Sequence, residues 1–186
     1  AAMWATPAVP EAGIPSFTMS DGPMGIASGK VDERDVARLS PCATALGASW
    51  DVDLARRIGT LVGQEAVGRG IDMVLAPNLN LARSPLAGRA FEYFSEDPLL
   101  AGVLGAAWIG GLQSTGTGSC AKHLVCNDSE TARDSVNVQV DERTLREVYL
   151  LPFEFAANAG CAGMLAAMPS ILSLRALVIA WWLAGA

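Results

Sequence analysis

The sequence predicts an α/β fold in which parallel strands alternate with helices, as in part of a barrel or an open doubly wound sheet. Three observations lead to this prediction. Short apolar runs alternate with stretches of helical periodicity, and each run ends in polar or charged residues that suit a site. Hydrophobic residues make up 51% of the 186-residue chain and charged residues 17%, enough for one domain with a core. No glycine-rich phosphate loop follows any run, which disfavours a nucleotide-binding sheet.

The first strand is expected over Ile14 to Met19, where a brief apolar segment ends at the turn Ser20-Asp-Gly-Pro23. Residues 27–48 have the composition of a loop. A helix should start near Ser49 or Asp51, since both residue types are good N-caps. Its apolar face recurs at helical spacing. The face consists of Leu54, Ile58, Leu61 and Val62, and Gly68 and Gly70 end the helix.

The next round begins with a short buried strand over Asp72 to Pro77. The connection that follows, Asn78 to Glu96, is long and polar, and long loops at strand carboxyl ends usually carry function. A second helix is expected from the pair Asp97-Pro98, an N-cap followed by proline, to Gly116. Ser119 to His123 is then a third strand.

The last round starts with residues 136–140, whose alternating pattern is typical of a half-exposed strand. Asp141 should cap a third helix that begins at Glu142. Pro152 lies inside its apolar pattern, so a kink or break is expected there. Cys161 to Met168 is small and apolar, which predicts a fourth buried strand.

Composition excludes several functions. A net charge of −6 without a basic cluster argues against nucleic acid and anionic membrane partners. The four cysteines are far apart and there is one histidine, so no metal, cofactor or disulfide framework is expected. We interpret the cysteines as reduced, mostly buried thiols. Residues 1–15 contain no visible signal peptide, which slightly favours the cytoplasm, and the chain reads as if it begins inside a longer protein.

Candidate site residues lie at the predicted strand ends. Lys122 and the single histidine, His123, adjoin a loop of carboxylates and amides. The simpler interpretation is a solvated lysine and a buried histidine with satisfied hydrogen bonds. Asp21 would sit at the mouth of a strand, or would only form an Asx-turn. Arg89 is a further candidate, although its spacing also suits a local ion pair with Glu92.

Seven motifs occur in one order along the chain. They are Ser20-Asp-Gly-Pro, Ala45-Leu-Gly-Ala-Ser-Trp-Asp51, Asn80-Leu-Ala-Arg-Ser-Pro-Leu-Ala-Gly-Arg89, Phe91-Glu-Tyr-Phe-Ser-Glu-Asp-Pro98, Ala121-Lys-His123, Asn127-Asp-Ser-Glu-Thr-Ala-Arg133 and Asp141-Glu-Arg-Thr-Leu-Arg-Glu147. Together they resemble the amino-terminal barrel domain of family 3 glycoside hydrolases, the β-glucosidase branch, over about residues 12–168. The resemblance implies an incomplete TIM-type (β/α)8 barrel, roughly its first half, over residues 1–168. Residues 169–186 form an apolar C-terminal tail that matches no motif.

The resemblance implies retaining hydrolysis of β-glucosides or related oligosaccharides, without a cofactor. It also assigns five residues to the binding of sugar hydroxyls in the −1 subsite. These are Asp21, Arg89, Lys122, His123 and Arg133. The family's nucleophile, in a Ser-Asp-Trp-like motif, and its acid/base are not found. The chain is therefore expected to be an inactive fragment or, alternatively, a non-catalytic carbohydrate-binding or decayed half-barrel.

Other carboxylates and the tail complete these expectations. Asp128, Glu130 and Asp134 have polar neighbours and should stay solvated with ordinary acidity. The N-acetylglucosaminidase branch is disfavoured because it relies on a second histidine.

The apolar stretch after Arg175 is 11 residues, too short for a membrane span. An extra helix or an abnormal terminus fits it better. Half a barrel also leaves open sheet edges, which predicts self-association.

Overall fold

A computed structural model describes residues 4–27 and 36–167 of the chain. It contains a sheet of four parallel strands whose order in space follows the order in sequence. The strands are β1 (Met19–Asp21), β2 (Met73–Leu75), β3 (Gly118–Leu124) and β4 (Gly163–Ala166). This order is that of successive strands in a β/α barrel, whereas a doubly wound sheet reverses its order at a switch point. The predicted α/β fold with a parallel sheet is confirmed.

Helices connect successive strands, and three of them carry most of the helical packing. The α-helices are α1 (Ala43–Ser49), α2 (Val52–Gly68), α3 (Pro98–Gln113), α4 (Glu142–Thr144) and α5 (Leu151–Asn158). Short 3₁₀ turns span Pro10–Ala12 and Ala90–Glu92, and a π-helical turn spans Leu145–Tyr149. Helix α3 packs between α2 and α5 and buries Trp108 and Leu104 in the core. None of the helices in the described ranges is long and apolar enough to cross a membrane.

Aspartate side chains start three of these helices, as the sequence predicts. Asp51 accepts a hydrogen bond from the backbone N–H of Leu54, which decides between Ser49 and Asp51 as the cap of α2. Asp97 caps α3 and Asp141 caps α4 in the same way. Each cap satisfies a backbone donor that the first helical turn leaves without a partner.

Helices α2 and α3 approach each other closely because glycines lie at their crossing. A Cβ atom at Gly59 would stand 2.1 Å from the carbonyl oxygen of Trp108. On the facing helix, a Cβ atom at Gly111 would stand 2.0 Å from the carbonyl oxygen of Arg56. Both distances are far below van der Waals contact, so only glycine allows the two backbones to lie this close.

The first strand differs from the prediction. It spans Met19–Asp21 rather than Ile14 to Met19. Residues before it form a hairpin-like arm, in which Thr6 N–H donates to Phe17 O and Val9 N–H to Ile14 O. Ile14 is 55% exposed. The apolar run is therefore the returning side of this arm, and only its last residue enters the sheet.

The prediction of a loop over residues 27–48 is wrong from Ala43 onward, where helix α1 begins, and residues 28–35 lie outside the described ranges. The predicted strand over 136–140 is not formed as such in the described ranges, where Asn137 alone of these residues lies in a β-bridge. Val138 and Val140 pack against the core, but their backbone lies beside no described strand. Alternation therefore reflects one buried face of an irregular connection.

The predicted break near Pro152 is confirmed. Helix α4 passes into the π-helical turn, and Pro152 lies in the first turn of α5, where its missing N–H removes no helical hydrogen bond. The last strand spans Gly163–Ala166, inside the predicted range Cys161 to Met168, whose final residue lies outside the described ranges.

Candidate functional site

The carboxyl ends of β1 and β3 bring the first two candidate residues together. Asp21 is the last residue of β1, and Lys122 lies near the end of β3. Lys122 Nζ donates to Asp21 Oδ1 over 2.8 Å. The lysine side chain is 3% exposed and the aspartate side chain 44%. A buried ammonium group requires such a partner. Lys122 is therefore not a solvated strand-end lysine, and Asp21 has a role beyond a local turn.

Two asparagines after β2 face the end of β3. The backbone continues alongside β3 past Leu75, since Leu79 N–H donates to Lys122 O over 2.6 Å. This continuation places the Asn80 side chain beside His123. The Asn80 amide accepts from His123 N–H and donates to His123 O, both over 3.0 Å. Asn78 donates to Glu92 Oε2 over 2.9 Å.

Arg89 makes the local ion pair that its spacing suits and also contacts a second candidate site residue. Its Nη2 atom lies 2.5 Å from Glu92 Oε2, which is the local ion pair. Its Nη1 atom lies 3.1 Å from His123 Nε2. The guanidinium is thus held by Glu92 from its own loop and by His123 from the neighbouring strand. Because Asn78 also donates to Glu92, the orientation of Arg89 depends on β3 and on both ends of the connection after β2.

Arg133 joins the same group through Glu130. Glu130 Oε2 accepts from Arg133 Nη1 over 2.9 Å, and its other oxygen lies 3.6 Å from Arg89 Nη1. The five predicted residues therefore lie together as two linked sets that adjoin at the sequence neighbours Lys122 and His123. Asp21 pairs with Lys122, and His123 contacts Arg89, which Glu130 links to Arg133. We call these residues the cradle, which consists of Asp21, Arg89, Lys122, His123 and Arg133 with the carboxylates Glu92 and Glu130.

Burial and charge keep His123 neutral. Desolvation, followed by the positive charges of Arg89, Lys122 and Arg133, lowers the pKa of the imidazole to about 3. Burial acts to lower the pKa of Arg89 as well, but its hydrogen bond to Glu92 and the nearby carboxylates outweigh it, and the pKa is raised. At neutral pH the cradle thus combines fixed cations and carboxylates with one uncharged histidine.

The expectation that the neighbouring carboxylates are solvated is wrong for Asp128 and Glu130. Asp128 Oδ1 accepts from Leu81 N–H over 2.8 Å, and burial raises the pKa of this carboxyl to about 6. The Glu130 side chain is 18% exposed and pairs with two arginines. Asp134, at 77% exposed, is solvated as expected. Polar sequence neighbours do not reveal that the loop after β2 folds over the loop after β3.

Sequence reasoning missed the supporting side chains. Asn78, Asn80, Glu130 and Tyr93 were not singled out as parts of the site. Tyr93 is fully buried, and its hydroxyl donates to Asn127 O over 3.1 Å. Burial, followed by nearby carboxylates, raises the pKa of Tyr93 to about 12. Two amides in a loop after a strand are a weak signal that could have suggested Asn78 and Asn80.

Neither a metal centre nor a reactive thiol stands out in the described ranges. No group of three or more His, Cys, Asp or Glu side chains there could hold a metal ion. Cys120 and Cys126 are buried, Cys42 and Cys161 are half-buried, and all four are free thiols. Burial raises the pKa of Cys120 to about 11 and that of Cys126 to about 12.

Comparison with known proteins identifies the family of this chain. Residues 8–185 match the model of the family described as Glycosyl hydrolase family 3 N terminal domain, so the chain belongs to this family. The match includes most of residues 169–186, which lie outside the described ranges. The boundary at residue 168 stays a prediction.

Curated relatives carry β-glucosidase names. The chain is 47% identical over 153 residues to probable beta-glucosidase I of Neosartorya fischeri, covering 82% of this chain and 18% of that protein. It is 45% identical over 162 residues to probable beta-glucosidase H of Aspergillus flavus, covering 87% of this chain and 20% of that protein. The chain thus spans about a fifth of the length of these relatives.

Solved structures share the fold. Beta-glucosidase 3B from Thermotoga neapolitana in complex with alpha-D-glucose superposes with a TM-score of 0.85 at 37% identity, covering 90% of this chain and 24% of that one. The beta-glucosidase of Kluyveromyces marxianus in complex with glucose gives 0.87 at 37% identity, covering 91% and 21%. At 37% identity, these two structures resemble the chain in sequence as well as in fold.

Proposed function

We propose that this chain provides the sugar-binding half of the active site of a β-glucosidase-type, retaining glycoside hydrolase, with a β-glucoside or related oligosaccharide as substrate. One observation carries the proposal: the five residues predicted to bind sugar lie together in the cradle, at the carboxyl ends of parallel strands and in the loops that follow them. In β/α barrels this is the end that carries active sites. The relatives named above are β-glucosidases, two of them solved with glucose.

The chemistry of the cradle suits a pyranose. Each sugar hydroxyl can both donate and accept a hydrogen bond, so a site that mixes ammonium, guanidinium, carboxylate and imidazole groups can satisfy several of them. Asp21 is the most exposed of the anionic members, at 44%, and Arg133 of the cationic ones, at 43%. These two side chains are the most accessible to a ligand, whereas Lys122 and His123 are buried.

The described carboxylates of the cradle suit binding better than bond cleavage. Retaining hydrolysis needs an ionised nucleophile and a protonated acid about 5 Å apart on the two sides of the glycosidic bond. Asp21 pairs with Lys122, and Glu92 and Glu130 pair with arginines. A carboxylate whose charge is already shared with a cation is a weaker nucleophile. We therefore propose that this part of the chain holds the sugar and does not itself cleave the bond.

Sugar titration tests the binding role. Methyl β-D-glucoside is added to the 186-residue chain, and amide resonances are followed by NMR. Shifts concentrated at Lys122, His123 and Arg89 are expected, with weak affinity. Lys122→Met and Asp21→Asn should abolish them, since each leaves hydroxyls without a partner. The control Asp53→Asn changes an exposed aspartate in the first turn of α2 and should bind as the parent chain does. Absence of shifts at high millimolar sugar contradicts the proposal.

Hydrolysis is tested separately. The purified 186-residue chain should not hydrolyse nitrophenyl β-glucoside above the uncatalysed rate. Asp128→Asn and Glu130→Gln serve as controls, because these two carboxylates lie in the loop that directly follows β3. Turnover that persists through purification and disappears in either variant would show that the described residues include a catalytic carboxylate.

Self-association is a further part of the proposal. β1 and β4 are the outer strands of the described sheet, and Leu165 on β4 is exposed. An unpaired strand edge offers backbone hydrogen bonds to another chain. Sedimentation of the 186-residue chain should therefore show concentration-dependent oligomers. A monomer at all concentrations, with a sharp and concentration-independent melting transition, contradicts this expectation.

A further inference from the structure

The orientation of the Asn80 side-chain amide is set by the backbone of His123. The backbone N–H of His123 can only donate, so the Asn80 atom that lies 3.0 Å from it must be the amide oxygen. The backbone carbonyl of His123 can only accept, so the atom 3.0 Å from it must be the amide nitrogen. These two contacts leave no freedom to exchange the ends of the amide.

The same amide oxygen also decides which ring nitrogen of His123 carries the proton. Nδ1 of His123 lies 3.3 Å from Asn80 Oδ1, and an amide oxygen can only accept. Nδ1 must therefore carry a hydrogen. At the other end of the ring, Nε2 lies 3.1 Å from Arg89 Nη1, and a guanidinium can only donate. Both ends of the imidazole indicate the same tautomer.

We infer that Asn80 is a positioning residue that fixes His123 as the neutral imidazole protonated on Nδ1, with Nε2 kept as a hydrogen-bond acceptor inside the cradle. The charged groups facing the ring agree with this assignment. Arg89, Lys122 and Arg133 all oppose an imidazolium, and with burial they lower the pKa of His123. A second proton would also place a donor against the Arg89 guanidinium.

The inference has a consequence for substrate recognition, and this consequence alone rests on the proposed function. Lys122, Arg89 and Arg133 can only donate hydrogen bonds, whereas Asp21 and His123 Nε2 accept them. A sugar hydroxyl that takes the place of Arg89 at Nε2 must therefore donate its proton. Such a position rejects a group that has oxygen-like size but no hydrogen to give.

The tautomer is measurable without any substitution, because His123 is the only histidine in the chain. A long-range ¹H–¹⁵N NMR spectrum of the 186-residue chain should show a protonated, pyrrole-like Nδ1 and an unprotonated, pyridine-like Nε2. The pattern should not change between about pH 5 and 8, well above the pKa of a histidine this strongly desolvated. A proton on Nε2, or titration within that range, overturns the inference.

The role of Asn80 is tested by Asn80→Asp, which keeps the acceptor for Nδ1–H and adds a negative charge. The pKa of His123 should rise by on the order of 1–3 pH units, as expected for a new opposite charge in contact. Asn158→Asp makes the same change at an exposed position on α5 and should leave the pKa of His123 where it was. An unchanged pKa of His123 in Asn80→Asp overturns the role of Asn80.

A second variant separates Asn80 from Arg89 and covers the case in which Asn80→Asp does not fold. Arg89 is partly exposed, so Arg89→Gln removes the guanidinium with less risk to folding. If Asn80 sets the tautomer, Nδ1 should remain protonated in this variant. A shift of the proton to Nε2 would show that Arg89, not Asn80, sets it.

Fluorinated sugars test the acceptor within the binding site. At one hydroxyl position, replacement by fluorine should weaken binding as much as replacement by hydrogen, because fluorine cannot donate to Nε2. At that position, and at a pH below the raised pKa of His123, Asn80→Asp should lessen the difference from the parent sugar, since a protonated ring can donate. If no sugar binds but Nδ1 remains protonated, the proposed function fails and the tautomer stands. If sugars bind and every fluoro analogue binds better than its deoxy counterpart, the acceptor role at the sugar is overturned.

Discussion

The crossing of α2 and α3 and the inner side of the cradle are both buried, but the first is built from apolar groups and the second from polar ones. At the helix crossing, glycines and apolar side chains bring two backbones into contact. In the cradle, Lys122 is 2% exposed, the two asparagines that support the cradle, Asn78 and Asn80, are at most 2% exposed, and ion pairs and amide hydrogen bonds hold all three. Close apolar packing stabilises a fold outright, whereas buried polar groups at best recover the cost of leaving water.

This difference shows which region stabilises the fold and which uses that stability. The polar groups of the cradle hold one another in place, at the cost of their hydration. The helical layer behind the sheet provides the apolar burial that offsets this cost. Loss of close packing at the helix crossing should therefore lower the free energy of unfolding, whereas removal of a buried charge beside the cradle should raise it.

The largest effect is expected at the helix crossing. Gly111→Ala places a methyl group against the carbonyl of Arg56, so the helices must separate, and the free energy of unfolding should fall by about 3 kcal/mol. The matched control is Gly68→Ala in α2, where a Cβ atom meets nothing within 4 Å. Its better helix propensity should raise stability by up to about 1 kcal/mol. Urea unfolding followed by circular dichroism measures both, and equal effects would show that the crossing is not tightly packed.

An intermediate effect of opposite sign is expected beside the cradle. The pKa of Asp128 is about 6 in the fold, above the ordinary value of 3.8. The folded state therefore binds the proton more tightly, and stability falls as pH rises from about 4 to about 6. At about 1.4 kcal/mol per pKa unit this difference corresponds to at most about 3 kcal/mol, so Asp128→Asn should stabilise the chain by up to that amount at pH 7 and hardly at pH 4.

The matched control for this variant is Asp134→Asn, an exposed aspartate of the same loop. Its stability should follow that of the parent chain at both pH values. Denaturant titrations at pH 4 and pH 7 provide the comparison. Loss of stability in Asp128→Asn at pH 7 would mean that the hydrogen bond from Leu81 N–H outweighs the cost of burying the charge.

The smallest effect is expected for one buried hydrogen bond beside the cradle. Tyr93→Phe keeps the buried ring but removes the donor to Asn127 O, and stability should fall by about 1 kcal/mol. Tyr149→Phe is the control, because its ring lies under Arg83, 5.8 Å from the guanidinium carbon, and this contact survives the change. Thermal unfolding compares the two. A larger loss of stability in Tyr149→Phe than in Tyr93→Phe would contradict the stabilising role of the hydrogen bond from Tyr93.

Much of the fold could be predicted because its signals are local. The caps Asp51, Asp97 and Asp141 act on backbone groups three residues away, so a short window of sequence contains both partners. The break near Pro152 is local for the same reason. Where the partner lies elsewhere in the chain, prediction failed. The alternation in residues 136–140 could not reveal that no described strand lies beside them.

The sequence by itself determined the α/β order, the family and the residue types of the cradle, because motif spacing and helix caps are properties of neighbouring residues. Only the tertiary structure decided how those residues are joined. Lys122 meets Asp21 across 101 positions, and Asn80 meets His123 across 43. Burial, which makes His123 neutral and raises the pKa of Asp128, also depends on loops that come together only when the sheet forms. Hydrogen bonds and desolvation act over a few ångströms in space, and distance along the chain does not reveal them.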